Sequence, residues 1–263
     1  MRNLTDYPWL VFVLALVMLW LCAQIGAALR RRQEAHGQTA PETFTIVLTA
    51  SLTLLGLIIG FTFSMAVNRY DMRKNYEAEE ANAIGTQYLR AGLLSPGDAA
   101  MMRMLLRSYL DQRILLYHSS DERSGAQIRQ RTSQLQEQLW ATAQRAASTQ
   151  PSALTALAAA GLNDVLNSQS YTQAAWWNRI PAAAWLLMWL IALLCNVMVG
   201  YAANGATARS LLLVLLPILL ATAFLLIADM DSPRGGVIRV RAQNLASLSE
   251  QLAPSAAEPA APP

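Results

Sequence analysis

Residues 44–90 read FTIVLTASLTLLGLIIGFTFSMAVNRYDMRKNYEAEEANAIGTQYLR. The first half, 44–67, holds no charged residue and meets the ~20 apolar residues that a helix needs to cross a bilayer core. The second half is polar, yet no Pro or Gly lies between Gly60 and Gly85 to interrupt a helix. The stretch predicts one continuous helix to about Leu93, roughly 75 Å long at about 1.5 Å per residue. That exceeds any bilayer, so the second half is expected to leave the membrane as a stalk.

Three further runs are apolar and long enough to span. Residues 9–29 are uncharged, with Arg2 before them and Arg30, Arg31 and Arg32 after them. A cleaved signal peptide wants its positive charge in front, so this run reads as a retained anchor. Residues 180–201 follow Trp176 and Trp177, which suit an interfacial aromatic belt. Residues 211–227 contain Pro217, which predicts a kink. A short connection over 202–210 makes the last two runs an antiparallel hairpin. The composition agrees: 54% of the chain is hydrophobic and 14% charged, against about 25% charged in an ordinary soluble domain.

Between the second and third spans, residues 68–179 show helical periodicity and no alternating strand pattern. Ser95 followed by Pro96 is a helix start, with Ser as the cap and Pro at the first helical position. That helix is expected to run to about Tyr117, and a turn at His118–Asp121 leads to a second over about 121–148. Pro151 restarts a third, carrying Leu154, Leu157, Leu162 and Val165. The expected fold is therefore all-α: four transmembrane helices plus a large helical extramembrane domain inserted between the second and third spans. Its divisions are 1–67, 68–179, 180–228 and a tail, 229–263, expected to be disordered from about 253 because it is rich in Pro and Ala.

One pattern along the stalk suggests function. Ser64, Asn68, Asp71, Asn75, Glu79, Asn82, Thr86 and Arg90 recur at steps of three or four, which places them on one face of a helix. One such stripe from each of several subunits would line a polar path, with Ser64, Asn68, Asp71 and Asn75 the pore-lining candidates. The competing reading is a solvated helix face whose first members snorkel to water. Gly56 and Gly60, one turn apart, allow close approach of another helix. Arg69, Arg73, Glu77 and Glu80 are spaced for ion pairs within the helix, worth about 0.3–0.5 kcal/mol each if exposed. Packed against another helix, Arg69 with Glu79, Glu80 and Asn82 would instead hold an interface or a cation. Asn196, polar in the middle of the third span, reads as a helix-packing contact or an ion contact.

Several chemistries are excluded or unsupported. Phosphate loops, nucleophile elbows, H-E-x-x-H and C-x-x-C motifs do not occur. The two histidines and two cysteines have no metal-site spacing. No enzyme active site, cofactor or metal is expected. Cations total 20 against 17 anions, and no basic block longer than Arg30–Arg32 occurs, so nucleic-acid binding has no support.

Three stretches carry a resemblance. They are 55–66, LGLIIGFTFSMA, with Arg69-Tyr-Asp and Glu79-Glu-Ala-Asn-Ala-Ile-Gly-Thr beyond it; Arg107 with Tyr109-Leu-Asp-Gln-Arg; and 229–240, DMDSPRGGVIRV. Together they resemble the bestrophin-like family of bacterial membrane proteins over most of 44–250. The similarity implies four spans, a second span that lines a pore, a helical region on the cytosolic side, and by analogy a pentameric anion channel. Only Phe61 and Phe63 stand where bestrophins carry an aromatic neck. Asp229 and Asp231 do not make an acidic calcium clasp, so calcium gating is not implied. Lys and Arg near the span ends number more on the side of the large segment and both termini, which is therefore expected to be cytoplasmic at a bacterial inner membrane. The expected partners are the lipid bilayer and copies of the chain. The alternative to a channel is a membrane-anchored helical interaction or sensory module without a pore.

Overall fold

The computed structural model describes residues 6–35, 42–119, 122–203, 206–233 and 235–253, and all regular structure among them is helical. The helices are α1 (Pro8–Ala35), α2 (Glu42–Arg90), α3 (Pro96–His118), α4 (Glu122–Thr149), α5 (Ala153–Trp177), α6 (Ala182–Ala202), α7 (Ala206–Asp231) and α8 (Gln243–Leu252), with a 3-10 turn at Ala91–Leu93. Four helical runs are long and apolar enough to cross a membrane: Pro8–Glu34, Thr43–Leu93, Ala153–Ala202 and Leu213–Asp231. The chain forms two compact units, one of Met1–Tyr70 with Asn178–Arg239 and one of Asp71–Trp177 with Val240–Pro263. The single helix α2 contributes to both.

In the first unit α1 packs on α6 and α7. Its core joins Val11, Ala15 and Leu19 of α1, Leu55 and Ala66 of α2, Met188, Ala192 and Cys195 of α6, and Phe224 and Ile227 of α7. The approach of α1 to α6 is close enough that only glycine fits. A Cβ on Gly26 would lie 1.9 Å from the Val197 carbonyl oxygen, and one on Gly200 would lie 2.0 Å from that of Ala23. Pro217 lies inside α7 and does not interrupt it. The connection expected at 202–210 is shorter than that, because helix resumes at Ala206, and residues 204–205 lie outside the described ones. The expected tail disorder likewise falls on residues outside the description, from 254 onward.

The 229–240 stretch forms a built turn at the end of α7. The Asp229 carboxylate accepts the backbone N–H of Val237 and of Ile238, both at 2.8 Å. Asp231 accepts the N–H of Ile180 at 2.9 Å, just ahead of α6. Gly236 has φ +79° and sits against Asp229, so any side chain there meets both strain and a clash. Arg179 pairs with Asp6 at 2.5 Å, before α1. Asp229 and Asp231 therefore answer orphan backbone donors, and with the Asp6–Arg179 pair they tie the segments around α1, α6 and α7 together.

The second unit gathers α3, α4, α5 and α8 with the end of α2 around Met102, Leu106, Tyr109, Leu110, Leu135, Leu139, Leu162, Val165 and Leu245. The Ser95 hydroxyl accepts the N–H of Asp98 at 3.3 Å and donates to its carboxylate at 2.8 Å, capping α3. Ahead of α5, Ser152 and Thr155 exchange the same service: each hydroxyl accepts the other's backbone N–H, at 3.2 and 3.0 Å.

A candidate pore-lining face on the second span

Within the chain α2 is covered on one side only. Leu55, Thr62 and Ala66 are buried in the first unit, and Arg73, Glu77, Glu80, Ile84 and Gln87 in the second. Their steps of three, four and seven define one face. Much of the rest of the helix is exposed: one stripe of it carries Thr45, Thr49, Thr53, Gly56, Gly60, Ser64 and Asn68, then Asp71, Asn75, Glu79, Asn82 and Thr86, and beside that stripe Ile46, Leu54, Leu57 and Phe61 are exposed too. Only 6% of the apolar window of this helix is buried within the chain, against 33–44% for the other three. The threonines satisfy their own hydroxyls by donating to the carbonyl four residues back, Thr49 to Thr45 and Thr53 to Thr49 at 2.9 Å, so they add small polar surface without an unmet donor. A Cβ on Gly56 or Gly60 would meet nothing within 4 Å. Among the described residues, then, both glycines face open space.

The polar residues of the opposite face are not solvated ion pairs. Glu80 is fully buried and pairs with Arg113 of α3, whose Nη2 donates to Oε2 at 3.1 Å and whose Nε donates to Oε1. Thr172 of α5 donates to the same carboxylate at 3.0 Å. Burial pulls the Arg113 pKa down, but the Glu80 charge and hydrogen bonds outweigh it, so the guanidinium ends above its ordinary value. Burial first and the Glu80 charge second push the Tyr109 and Tyr117 phenols up. Glu77 is also buried. It accepts the N–H of Leu245 at 3.0 Å and the amide of Asn244 at 2.6 Å, capping α8 from a distance. Gln87 donates to the Ala158 carbonyl at 2.9 Å past Gly161, where a Cβ would leave no room.

The expected site residues are thus divided. Ser64, Asn68, Asp71, Asn75, Glu79 and Asn82 share the exposed face. Glu79 and Glu80 point apart, one exposed and one locked to Arg113, so they do not act as a pair. Arg69 is half-buried and donates to Asn178. Asn196 is buried in the first unit, and its amide donates to the Ala192 carbonyl of its own helix at 2.8 Å. Thr172 and the Gly26–Gly200 contact were not singled out from sequence; Glu77 was read only as a member of ion pairs within α2, and Arg113 only as part of a stretch carrying the resemblance. Among the described residues, no group of three or more His, Cys, Asp or Glu could hold a metal ion.

Four membrane-length apolar helices, one of them continuing into a second all-helical unit, define an integral membrane protein of a recognisable class. The bestrophin-like domain matches residues 9–245, and the chain belongs to that family. Two point variants of a bacterial bestrophin homologue from Klebsiella pneumoniae share the fold with TM-score 0.69, at 13% and 12% identity. They cover 92% of this chain and 95% and 97% of their own. A zinc-phased structure of that homologue gives TM-score 0.67 at 13% identity, covering 91% of this chain and 96% of its own. No protein with a curated description matches the chain.

Proposed function

We propose that the chain is one subunit of a homo-oligomeric ion channel whose pore is lined by the exposed face of α2. The observation that carries this reading is the burial of α2. It is the least covered of the four apolar helices, and next to apolar side chains suited to lipid its open side bears a stripe of threonines, glycines, Ser64 and Asn68. A helix turned only to lipid has no use for such a face, whereas a water-filled path between copies has. The family membership supports the reading. In it the helical part, 68–179, lies outside the membrane between the second and third spans. The chain sits in a bacterial inner membrane with that part and both termini cytoplasmic, in keeping with the excess of cations on that side.

The fixed charges on the face are Asp71 and Glu79, with Lys74 at its edge. Repeated around a ring, carboxylates concentrate cations. The anion expected from the resemblance therefore meets an unfavourable lining, and the reversal potential of the purified protein in liposomes across a salt gradient decides the sign. The same preparation tests the channel itself. Wild type is expected to pass ions, and Ser64→Leu or Asn68→Leu to reduce conductance several-fold. If wild type passes no ions at any voltage, the pore is absent and the membrane-anchored interaction module becomes the better account.

A further inference from the structure

We propose that the corner where α2 ends and α3 runs past it is a contact surface for a second copy of this chain, with Arg103 and Arg107 as its charged centre. The proposal rests on the homo-oligomer above and names the surface that holds it together in the second unit.

Two features single out this corner. The first is uncompensated charge. Arg103 and Arg107 stand one turn apart on α3, and both guanidinium groups lie 5.4 Å from the centroid of the Tyr88 ring. Arg107 donates to the Tyr88 hydroxyl at 2.7 Å, and Arg103 donates to the Tyr88 carbonyl at 3.4 Å. Arg103 also fills the space a Cβ on Gly92 would need, 2.9 Å from its Nη2. All these acceptors are neutral. Neither arginine has an ion pair among the described residues, and the Arg107 Nε is buried there without a hydrogen-bond partner. Like charges at i,i+4 repel, so the arrangement calls for a carboxylate.

The second feature is exposed apolar surface in the part of the chain proposed above to lie outside the membrane. Leu89 is 74% exposed and Met104 54%, and Leu93 and Met101 are exposed beside them. All four lie on α3 or on the chain that Arg103 and Arg107 grip. Large apolar side chains around half-buried Arg and Tyr make up the composition of an interface centre. A second copy supplies the complementary charge: Glu137 of α4 is exposed, and Asp111, one turn after Arg107 on α3, is exposed as well, and neither has an ion pair among the described residues.

The test is the mass of the full chain in detergent micelles, measured by light scattering over a dilution series. Wild type is expected to be a discrete oligomer. The double change Arg103→Glu with Arg107→Glu, and separately Leu89→Ser with Met104→Ser, should each raise the concentration at which it dissociates by roughly tenfold or more. The serine pair alters only exposed side chains, so its helical circular dichroism should match wild type. A wild-type mass of one chain would overturn the oligomer itself. An oligomer unchanged in both double variants would leave the oligomer standing and remove this surface from it.

Discussion

At the scale of single residues the buried Glu80–Arg113 pair carries the largest expected energies. Both side chains are out of water, and removing one partner leaves the other charge unanswered. Arg113→Met or Glu80→Gln is therefore expected to cost about 3–5 kcal/mol in denaturant unfolding, while the joint change Arg113→Met with Glu80→Met costs much less. A single change no worse than the joint one would mean that the charges are not coupled. Tyr109 and Tyr117 give a pH signature. Their folded pKa values are raised, so their contribution to stability is complete below the unfolded phenol value of about 10 and is lost as pH rises past it, because the unfolded chain releases those protons first. The melting temperature should fall between pH 9 and pH 11, and Tyr117→Phe should make that fall shallower.

These residues also mark where the sequence was hardest to read. Beyond Asn68, α2 is polar on both of its faces, so polarity alone did not separate Asp71, Asn75 and Glu79, which are exposed, from Arg73, Glu77 and Glu80, which are buried. The groups that make burial tolerable, Arg113, Thr172 and Asn244, lie far along the chain. Only the folded backbone brings them within 2.6–3.1 Å.

At the scale of elements, the four spans were legible because an uncharged run of about twenty residues has few homes other than lipid. Their ends were less so. The helix α7 begins at Ala206 and reaches Asp231, beyond both ends of its apolar run, and the Asp231 carboxylate there accepts the backbone N–H of Ile180. Glycine spacing shows a pattern without naming its partner. Gly56 and Gly60 have the pattern of a contact but meet nothing among the described residues, whereas Gly26 and Gly200 make the close α1–α6 crossing. The signal for the second pair was the small-residue row Ala23, Gly26 and Ala27, which spacing alone does not assign to a partner. Gly200→Leu is expected to lower the melting temperature of the detergent-solubilised protein by several degrees through overpacking. Gly56→Leu should leave the packing within each chain intact and alter conductance instead. Equal effects of the two on melting would contradict this division of roles.

At the scale of the whole molecule, the chain joins a unit rich in membrane-length helices to a second helical unit through one unbroken helix. An all-helical membrane protein was readable from run lengths and breaker positions, and the family from a few short stretches. A pore was not, because it belongs to several chains at once and a single sequence records only the face that each would contribute. In the proposed assembly the exposed side of α2 is that face, and its place there is what the account stands on. Electron microscopy of the purified oligomer measures it directly. The account predicts a closed, rotationally symmetric ring with α2 innermost and Ser64 and Asn68 turned to the axis. A particle with α2 on its periphery, facing detergent, would contradict it.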